Sequence, residues 1–174
     1  MLKEEPDRQS KFLTGQPEVY RILDDLSVSF DYCEHPPTPT IEEARLYWND
    51  KETTYCKNLF FRNHKGNRHY LVVLECSCDL KIHDLEKHLK QGKISFASEH
   101  RMMKYLGLRP GSVSPFGLIN DPDHHVHVFF DSRLRQARKI SFHPNDNRAS
   151  LILSAADFWR YMDQTKNGYE FMDL

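Results

Sequence analysis

The chain has 174 residues, 39% of them hydrophobic and 28% charged, which is one domain's worth of sequence with enough apolar residues for a real core. Its 24 Lys and Arg against 25 Asp and Glu leave a formal net charge of −1. That excludes a global cationic field for nucleic acid or membrane, so any RNA contact has to come from a local patch.

Met1 to Thr14 is polar and is expected to be flexible. The stretch Met1 to Phe12 is charged and has no apolar h-region, so no signal peptide is expected. No apolar run approaches the roughly 20 residues of a bilayer span. The four cysteines, Cys33, Cys56, Cys76 and Cys78, are therefore expected as reduced thiols in the cytoplasm.

From Pro17 the spacing of Val19, Ile22, Leu23 and Leu26 predicts a helix with proline in its first turn. Val28, Phe30 and Tyr32 alternate as a short strand. Glu34 to Pro39 is held extended by its prolines, each of which also restrains its predecessor. Thr40-Ile41-Glu42-Glu43 is a capping-box sequence and predicts a short helix towards Tyr47.

Thr53 to Glu75 reads as a hairpin. Its first limb mixes β-branched and aromatic residues, Asn63 to Asn67 turns, and Tyr70 to Leu74 is apolar on both faces. Lys57 interrupts the first limb between Cys56 and Asn58. An ammonium is costly to bury unless something polar or anionic meets it, so a lysine here points to a pocket. Read in isolation, the same residue is an ordinary lysine blunting a sheet edge.

Ile82, Leu85 and Leu89 share a helical face within Asp79 to Lys90, with Gly92 as the expected stop. Ile94 and Phe96 suggest a short strand. Ser98 caps a helix carrying Met102, Met103, Tyr105 and Leu106, and Gly107 closes it. Leu108 to Leu118 holds two prolines and two glycines and is expected to be irregular. Val126, Val128 and Phe130 mark a strand, and Ile140 with Phe142 begins another. Pro144 to Asn147 turns, and Leu151 to Leu153 returns. Ser154 and Asp157 start the last helix, with Phe158, Trp159 and Met162 facing inward. There is no linker, repeat or low-complexity segment, so one domain is expected over residues 1–174.

Strands outnumber helices and do not alternate with them as βαβ units would. The expected fold is α+β, with a mixed, mostly antiparallel sheet curled into an open barrel and flanked by helices. No Gly-rich phosphate loop, nucleophile elbow or dinucleotide fingerprint is present.

Three segments taken together carry a resemblance. Lys57-Asn58-Leu59-Phe60, Pro110 to Leu118, and Phe142-His143-Pro144 with Asn147 resemble, in this order and spacing, the free-standing trans-editing deacylases. These are related to the editing insertion of bacterial prolyl-tRNA synthetase, and the similarity is greatest to the branch that removes alanine from mischarged proline tRNA. The resemblance implies an essential lysine at Lys57 with Asn58 as its polar neighbour. It implies a G-x-x-x-P loop, Gly111, Ser112, Val113, Ser114 and Pro115, that positions the terminal adenosine and walls the pocket. It also implies a histidine, His143, linked to rejection of the cognate amino acid. Ala149 and Ser150 stand where relatives more often carry threonines.

Aminoacyl-tRNA is an activated ester, so its hydrolysis needs placement and charge stabilisation more than a strong nucleophile. Lys57 can supply both, and the substrate's own ribose hydroxyl can help deliver water. Gly111 lets backbone approach a ligand, Val113 offers a methyl surface and Pro115 fixes the shape, which suits a size sieve. His143 either bonds the ligand or ties down the Pro144 turn; His35 is read as structural. Arg133, Arg135, Arg138 and Lys139 form one basic run, and Arg101, Lys104 and Arg109 a second. Such clusters suit phosphate contacts, and on charge alone they also suit a solvated face. The expected partners are the acceptor end of tRNA(Pro) and, as a further candidate, prolyl-tRNA synthetase, with a monomeric chain.

Three rival readings can be weighed on the residues. His124, His125 and His127 with Cys76 and Cys78 are ligand-type residues, but Cys-x-Cys lacks usual zinc spacing, so no metal and no cofactor is expected. The same pocket would serve a non-catalytic aminoacyl-tRNA or amino-acid binding module, or a deacylase of cysteinyl-tRNA(Pro).

Overall fold

A computed structural model of the chain describes residues 13–38 and 40–174. The expected flexible segment lies outside the described residues as far as Phe12. Of the remainder, Leu13 packs on the core, and the backbone N–H of Thr14 donates to the Tyr32 hydroxyl at 3.1 Å.

Helix α1 (Pro17–Asp25) buries Val19, Tyr20 and Leu23. Strand β1 (Phe30–Glu34) follows, with Val28 buried just before it rather than within it. Helix α2 (Ile41–Ala44) carries the reciprocal capping box expected of Thr40 and Glu43, then tightens into a 3-10 turn over Arg45–Tyr47. The hairpin is formed by β2 (Thr53–Asn63) and β3 (His69–Glu75), paired antiparallel from Cys56↔Glu75 to Arg62↔His69. Its turn is organised by Asn63, whose Oδ1 accepts from the N–H groups of Asn67 and Arg68, both at 3.1 Å.

Helix α3 (Ile82–Leu89) packs Leu85 inward, and β4 (Ile94–Phe96) and α4 (Glu99–Leu106) come next. The stop of α3 is Lys90, in the left-handed region with φ 52°, and not the expected Gly92. Ser98 and Gly107 cap α4 as expected. Then follow β5 (Val126–Asp131), β6 (Lys139–Phe142), β7 (Ala149–Ser154), α5 (Ala155–Thr165) and β8 (Tyr169–Met172). The segment expected to be wholly irregular contains a 3-10 helix over Pro115–Asn120, started by Ser114 accepting from the Phe116 N–H at 3.2 Å. Strand β8 was not anticipated; it is four residues long and exists because it pairs parallel with β5.

The sheet runs β1-β7-β6-β2-β3-β5-β8, with β4 attached to β2. Pairs β1·β7, β6·β7, β2·β3 and β2·β4 are antiparallel, and β2·β6, β3·β5 and β5·β8 are parallel. The result is a mixed, open sheet flanked by helices. It has two apolar faces. Phe60, Leu71, Val73, Phe130 and Phe158 fill one, and Phe61, Val72, Leu74, Leu85 and Phe129 fill the other. That double burial explains why β3 reads as a continuous apolar run.

Strand β2 is the hinge of this architecture. Along one edge it pairs with β3 throughout. Along the other it pairs with β6 at Thr53–Tyr55 and with β4 at Phe61–Asn63. Between those two contacts β2 has no strand on that side.

Candidate active site at the open edge of the hairpin

A cavity of about 330 Å³ opens at this gap, within the usual range for small-ligand sites. All six residues from Tyr55 to Phe60 line it. The backbone groups presented there can be assigned from the ladder. The Phe60 carbonyl accepts from Ala97 N–H at 2.8 Å on the β4 side, whereas Tyr55 O and Asn63 N–H bond towards β3 and its turn. Alternate residues of an antiparallel strand bond to opposite edges, so the N–H and C=O of Asn58 face the gap. No strand partner meets them among the described residues.

Five residues expected at the site meet here: Lys57, Asn58, Gly111, Val113 and His143 all line the one cavity. The Lys57 side chain keeps only 16% of its exposure, and its amine lies 3.7 Å from a fully exposed Asp79 carboxylate. That contact is long and solvated, so it holds the amine weakly. The Oδ1 of Asn58 is buried without a hydrogen-bond partner among the described residues. A buried acceptor left unpaired is costly, and it is satisfied only by something that enters the cavity.

His143 donates Nδ1–H to the Ala149 carbonyl at 2.7 Å, because that oxygen can only accept. Burial lowers its pKa, more than the Ala149 bond raises it, so the ring is neutral near pH 7 and its Nε2 is an acceptor. His35, structural as expected, donates from Nδ1 to Pro36 O at 2.9 Å. Its Nε2 receives the Ser150 hydroxyl at 2.9 Å, which fixes a cavity-lining serine.

Gly111 has φ 84°, the left-handed conformation that suits a residue without Cβ. The other loop positions part company with it. Ser112 faces a neighbouring shallow pocket with Arg109 and Arg148. Ser114 is fully buried as the cap of the 3-10 helix, and buried Pro115 gives its carbonyl to Tyr161 Oη at 3.0 Å. These two hold the loop's shape from behind the wall.

Cavity residues that sequence reasoning missed include Thr38, Ile41, Ala44, Trp48, Phe96 and Met102. They come from α2 and the residues flanking it, from β4 and from α4, and nothing in their local pattern marks them. Trp48 stacks on Tyr55 with ring centroids 4.3 Å apart.

The thiols of Cys56 and Cys76 are held protonated. Burial pushes the Cys56 thiol up, and burial with the neighbouring Glu75 carboxylate raises Cys76 to about 11. The Glu75 carboxylate accepts from Cys76 Sγ, Cys78 Sγ, and the backbone and hydroxyl of Ser77. Burial raises its pKa, but those hydrogen bonds outweigh it and leave it below the ordinary range.

The basic clusters are largely committed elsewhere. Arg133 makes a fork on buried Asp131 at 2.7 Å, Lys139 reaches Asp50 at 3.0 Å, and Arg135 lies over the Phe171 ring at 3.9 Å. Arg101 donates to Gly66 O at 2.7 Å and to His69, and Lys104 sits 5.0 Å above the Tyr105 ring. Arg109 and Arg138 are exposed. His125 and His127, two of the ligand-type residues, turn to different partners: His125 to His69 and Tyr105, His127 to Glu170. Among the described residues no group of three or more His, Cys, Asp or Glu is arranged around a metal position. Among them, too, no helix is long and apolar enough to cross a membrane.

Comparison with known proteins shows the family. The model of the aminoacyl-tRNA editing domain family matches residues 35–161. The chain is 38% identical to the prolyl-tRNA editing protein ProX of Acetoanaerobium sticklandii, over 93% of this chain and 99% of that one. It is 30% identical to the prolyl-tRNA synthetase associated domain-containing protein 1 of Mus musculus, over 85% and 89% of the two chains. In fold it is similar to the solved structure of a proposed trans-editing enzyme for prolyl tRNA synthetase. That match has a TM-score of 0.67 at 20% identity and covers 91% of this chain and 97% of the other. The chain therefore belongs to the aminoacyl-tRNA editing domain family, and its activity is that of an aminoacyl-tRNA deacylase.

Proposed function

We propose that the chain edits mischarged proline tRNA in trans, hydrolysing alanyl-tRNA(Pro) and sparing prolyl-tRNA(Pro). The observation that supports this most is the meeting of Lys57, Asn58, Gly111, Val113 and His143 around one cavity on an unpaired strand edge. The ester enters at the gap. Water attacks the carbonyl carbon, the carbon–oxygen bond to the ribose breaks, and the ribose oxygen takes up a proton. The ribose's free hydroxyl helps deliver that water.

Lys57 supplies positive charge to the terminal phosphate or to the carbonyl oxygen as charge develops on it, without acting as nucleophile. The Asn58 N–H at the open edge is a second donor placed for that oxygen, and the orphaned Asn58 Oδ1 is an acceptor for the substrate's α-ammonium. Gly111 and Val113 bound the side-chain space, and neutral His143 presents a fixed acceptor to it. A methyl fits. A pyrrolidine ring is excluded by contact rather than by weaker attraction, because methyl-scale differences give only about 1–3 kcal/mol of selectivity.

The partners in this reading are the acceptor end of tRNA(Pro) and prolyl-tRNA synthetase, in the cytoplasm where charging occurs. Arg109 and Arg138 are exposed for phosphate contact, and Lys104, five residues before Arg109, stands exposed on α4. The test is a deacylation panel with alanyl-, cysteinyl- and prolyl-tRNA(Pro), run with the native chain and Lys57→Ala. Multiple turnovers on the alanyl substrate alone, lost in the variant, are expected. Preference for the cysteinyl substrate would move the assignment, and single-round release would leave only a binding module.

A further inference from the structure

Phe96 is the one exposed residue among the Phe, Tyr and Trp of the described residues, with 64% of its surface open, and it lies on the rim of the cavity. Exposed large apolar residues are ordinary when scattered. This one is neither scattered nor loose. It pairs across the ladder with Phe61, and the two rings stack with centroids 4.6 Å apart at 23°. Phe61 is buried in the second apolar face, so one side of the Phe96 ring is fixed and the other is offered to solvent.

The position of Phe96 relative to the cation matters. Directly paired residues project to the same face of a sheet, and alternate residues along a strand share a face. Lys57, Leu59, Phe61 and Phe96 thus stand on one face of β2 and β4. Asn58 and Phe60 project to the other, and Phe60 is packed there in the first apolar face. The cavity reaches both faces because β2 has no neighbour between β6 and β4. One side of the open edge therefore holds Asn58 with its orphaned acceptor. The other holds a cation and, about 13 Å further along the strand, a rigid aromatic plate.

We propose that Phe96 is the platform on which the terminal nucleobase of the RNA stacks, with the aminoacyl group on the Asn58 side of the same edge. This rests on the deacylase reading and adds a stacking surface for the base of the terminal adenosine, which the resemblance sets against the Gly111–Pro115 loop of the same cavity. An aminoacylated RNA end has an anionic phosphate, a flat base and a small amino acid, and the cavity offers a cation, an exposed ring and an apolar wall in matching places. Stacking on an aromatic ring is tolerant of base identity, which suits an end shared by all tRNAs.

The test uses the full chain and a short RNA hairpin ending in CCA, with 2-aminopurine in place of the terminal adenine. Binding is expected to quench the probe, because stacking on a ring does so. Phe96→Ala and Phe96→Leu are expected to remove the quenching, and Phe96→Trp to retain it. Leucine keeps Phe61 covered, so its loss of quenching cannot be a folding defect. In deacylation, Phe96→Ala is expected to raise KM by about 5- to 150-fold, the range for loss of one base stack, with kcat little changed. Removing the terminal base from the RNA should abolish that difference between native chain and variant. Quenching that persists in both Phe96→Ala and Phe96→Leu overturns the platform. The fluorescence arm uses uncharged RNA, so it decides this point whatever the deacylation panel gives for the function.

Discussion

Nδ1 of His69 lies 2.8 Å from Nε2 of His125, and the contact fixes the proton of a buried ring. Arg101, which can only donate, lies 2.9 Å from the other nitrogen of His69. His69 Nε2 therefore accepts, and Nδ1 carries the proton and gives it to His125. The pair closes the hairpin turn against α4, since Arg101 also holds the Gly66 carbonyl.

Acid sensitivity follows from that arrangement. Burial, then the nearby charges of His125, Arg101, Lys104 and Arg62, lower the pKa of His69 to about 4. The unfolded chain titrates near 6.5, so between about 6.5 and 4 it binds more protons than the folded one. Stability must then fall as pH falls through that window, by no more than about 3 kcal/mol from this ring. Urea midpoints at pH 7 and pH 4.5 measure it. His69→Asn is expected to be less stable at pH 7 and to show a shallower decline. A decline as steep as the native chain's would assign the acid sensitivity to other groups.

Lys57 is expected to separate activity from stability. Its one ion pair is 3.7 Å long with an exposed carboxylate, and such pairs contribute little. Lys57→Ala is therefore expected to melt within a few degrees of the native chain while losing about 10²- to 10³-fold in kcat, the usual loss for one oxyanion-stabilising donor. Asp79→Ala should leave both properties nearly unchanged. A Lys57→Ala variant that unfolds early, or one that turns over normally, would remove the electrostatic role.

Much of the site was legible because its parts are local anomalies. Lys57 stands out in an apolar limb, and Gly111 and Pro115 stand out in a loop. The capping box of α2 and α4's glycine stop were legible for the same reason, being set by residues within one turn of the helix end. What sequence could not show is that β2 changes partners along its length. The cavity exists because β6 and β4 diverge, and that depends on pairings more than 30 residues apart. Ser114 and Pro115 belong to the motif yet are buried behind the wall, a distinction that only packing makes. The basic runs show a related limit: charge is visible in sequence, but which acid each cation meets is not. Asp131 is two residues from Arg133, whereas Asp50 is 89 from Lys139.

Arg133 and Arg109 accordingly predict opposite outcomes. Arg133 forks onto an Asp131 that is 1% exposed and whose carboxyl is held low chiefly by that fork, against the upward push of burial. Arg133→Ala is expected to lower the melting temperature and leave RNA affinity intact. Arg109 is exposed in the pocket beside Ser112 and Arg148, next to the loop that walls the cavity. Arg109→Ala should leave melting unchanged, weaken RNA binding, and reduce the salt slope of log affinity by about one. Reversal of either pair of results would redraw the RNA path.

Val113 should set the size limit. It lines the cavity while packing against the first core cluster, so its methyls are held in place rather than free to retreat. Trimming them opens space that a proline ring needs and an alanine methyl does not. Val113→Ala is expected to raise kcat/KM for prolyl-tRNA(Pro) by about 10-fold or more relative to alanyl-tRNA(Pro), a methyl-scale gain. Val113→Ile should act in the other direction, slowing the alanyl substrate without admitting proline. His143→Ala widens the same space but also removes the donor to Ala149, so it should admit proline at a cost in stability. If both Val113→Ala and His143→Ala keep the native ratio of the two substrates, rejection of proline is not steric in this cavity. Discrimination would then have to come from the RNA or from a bound synthetase.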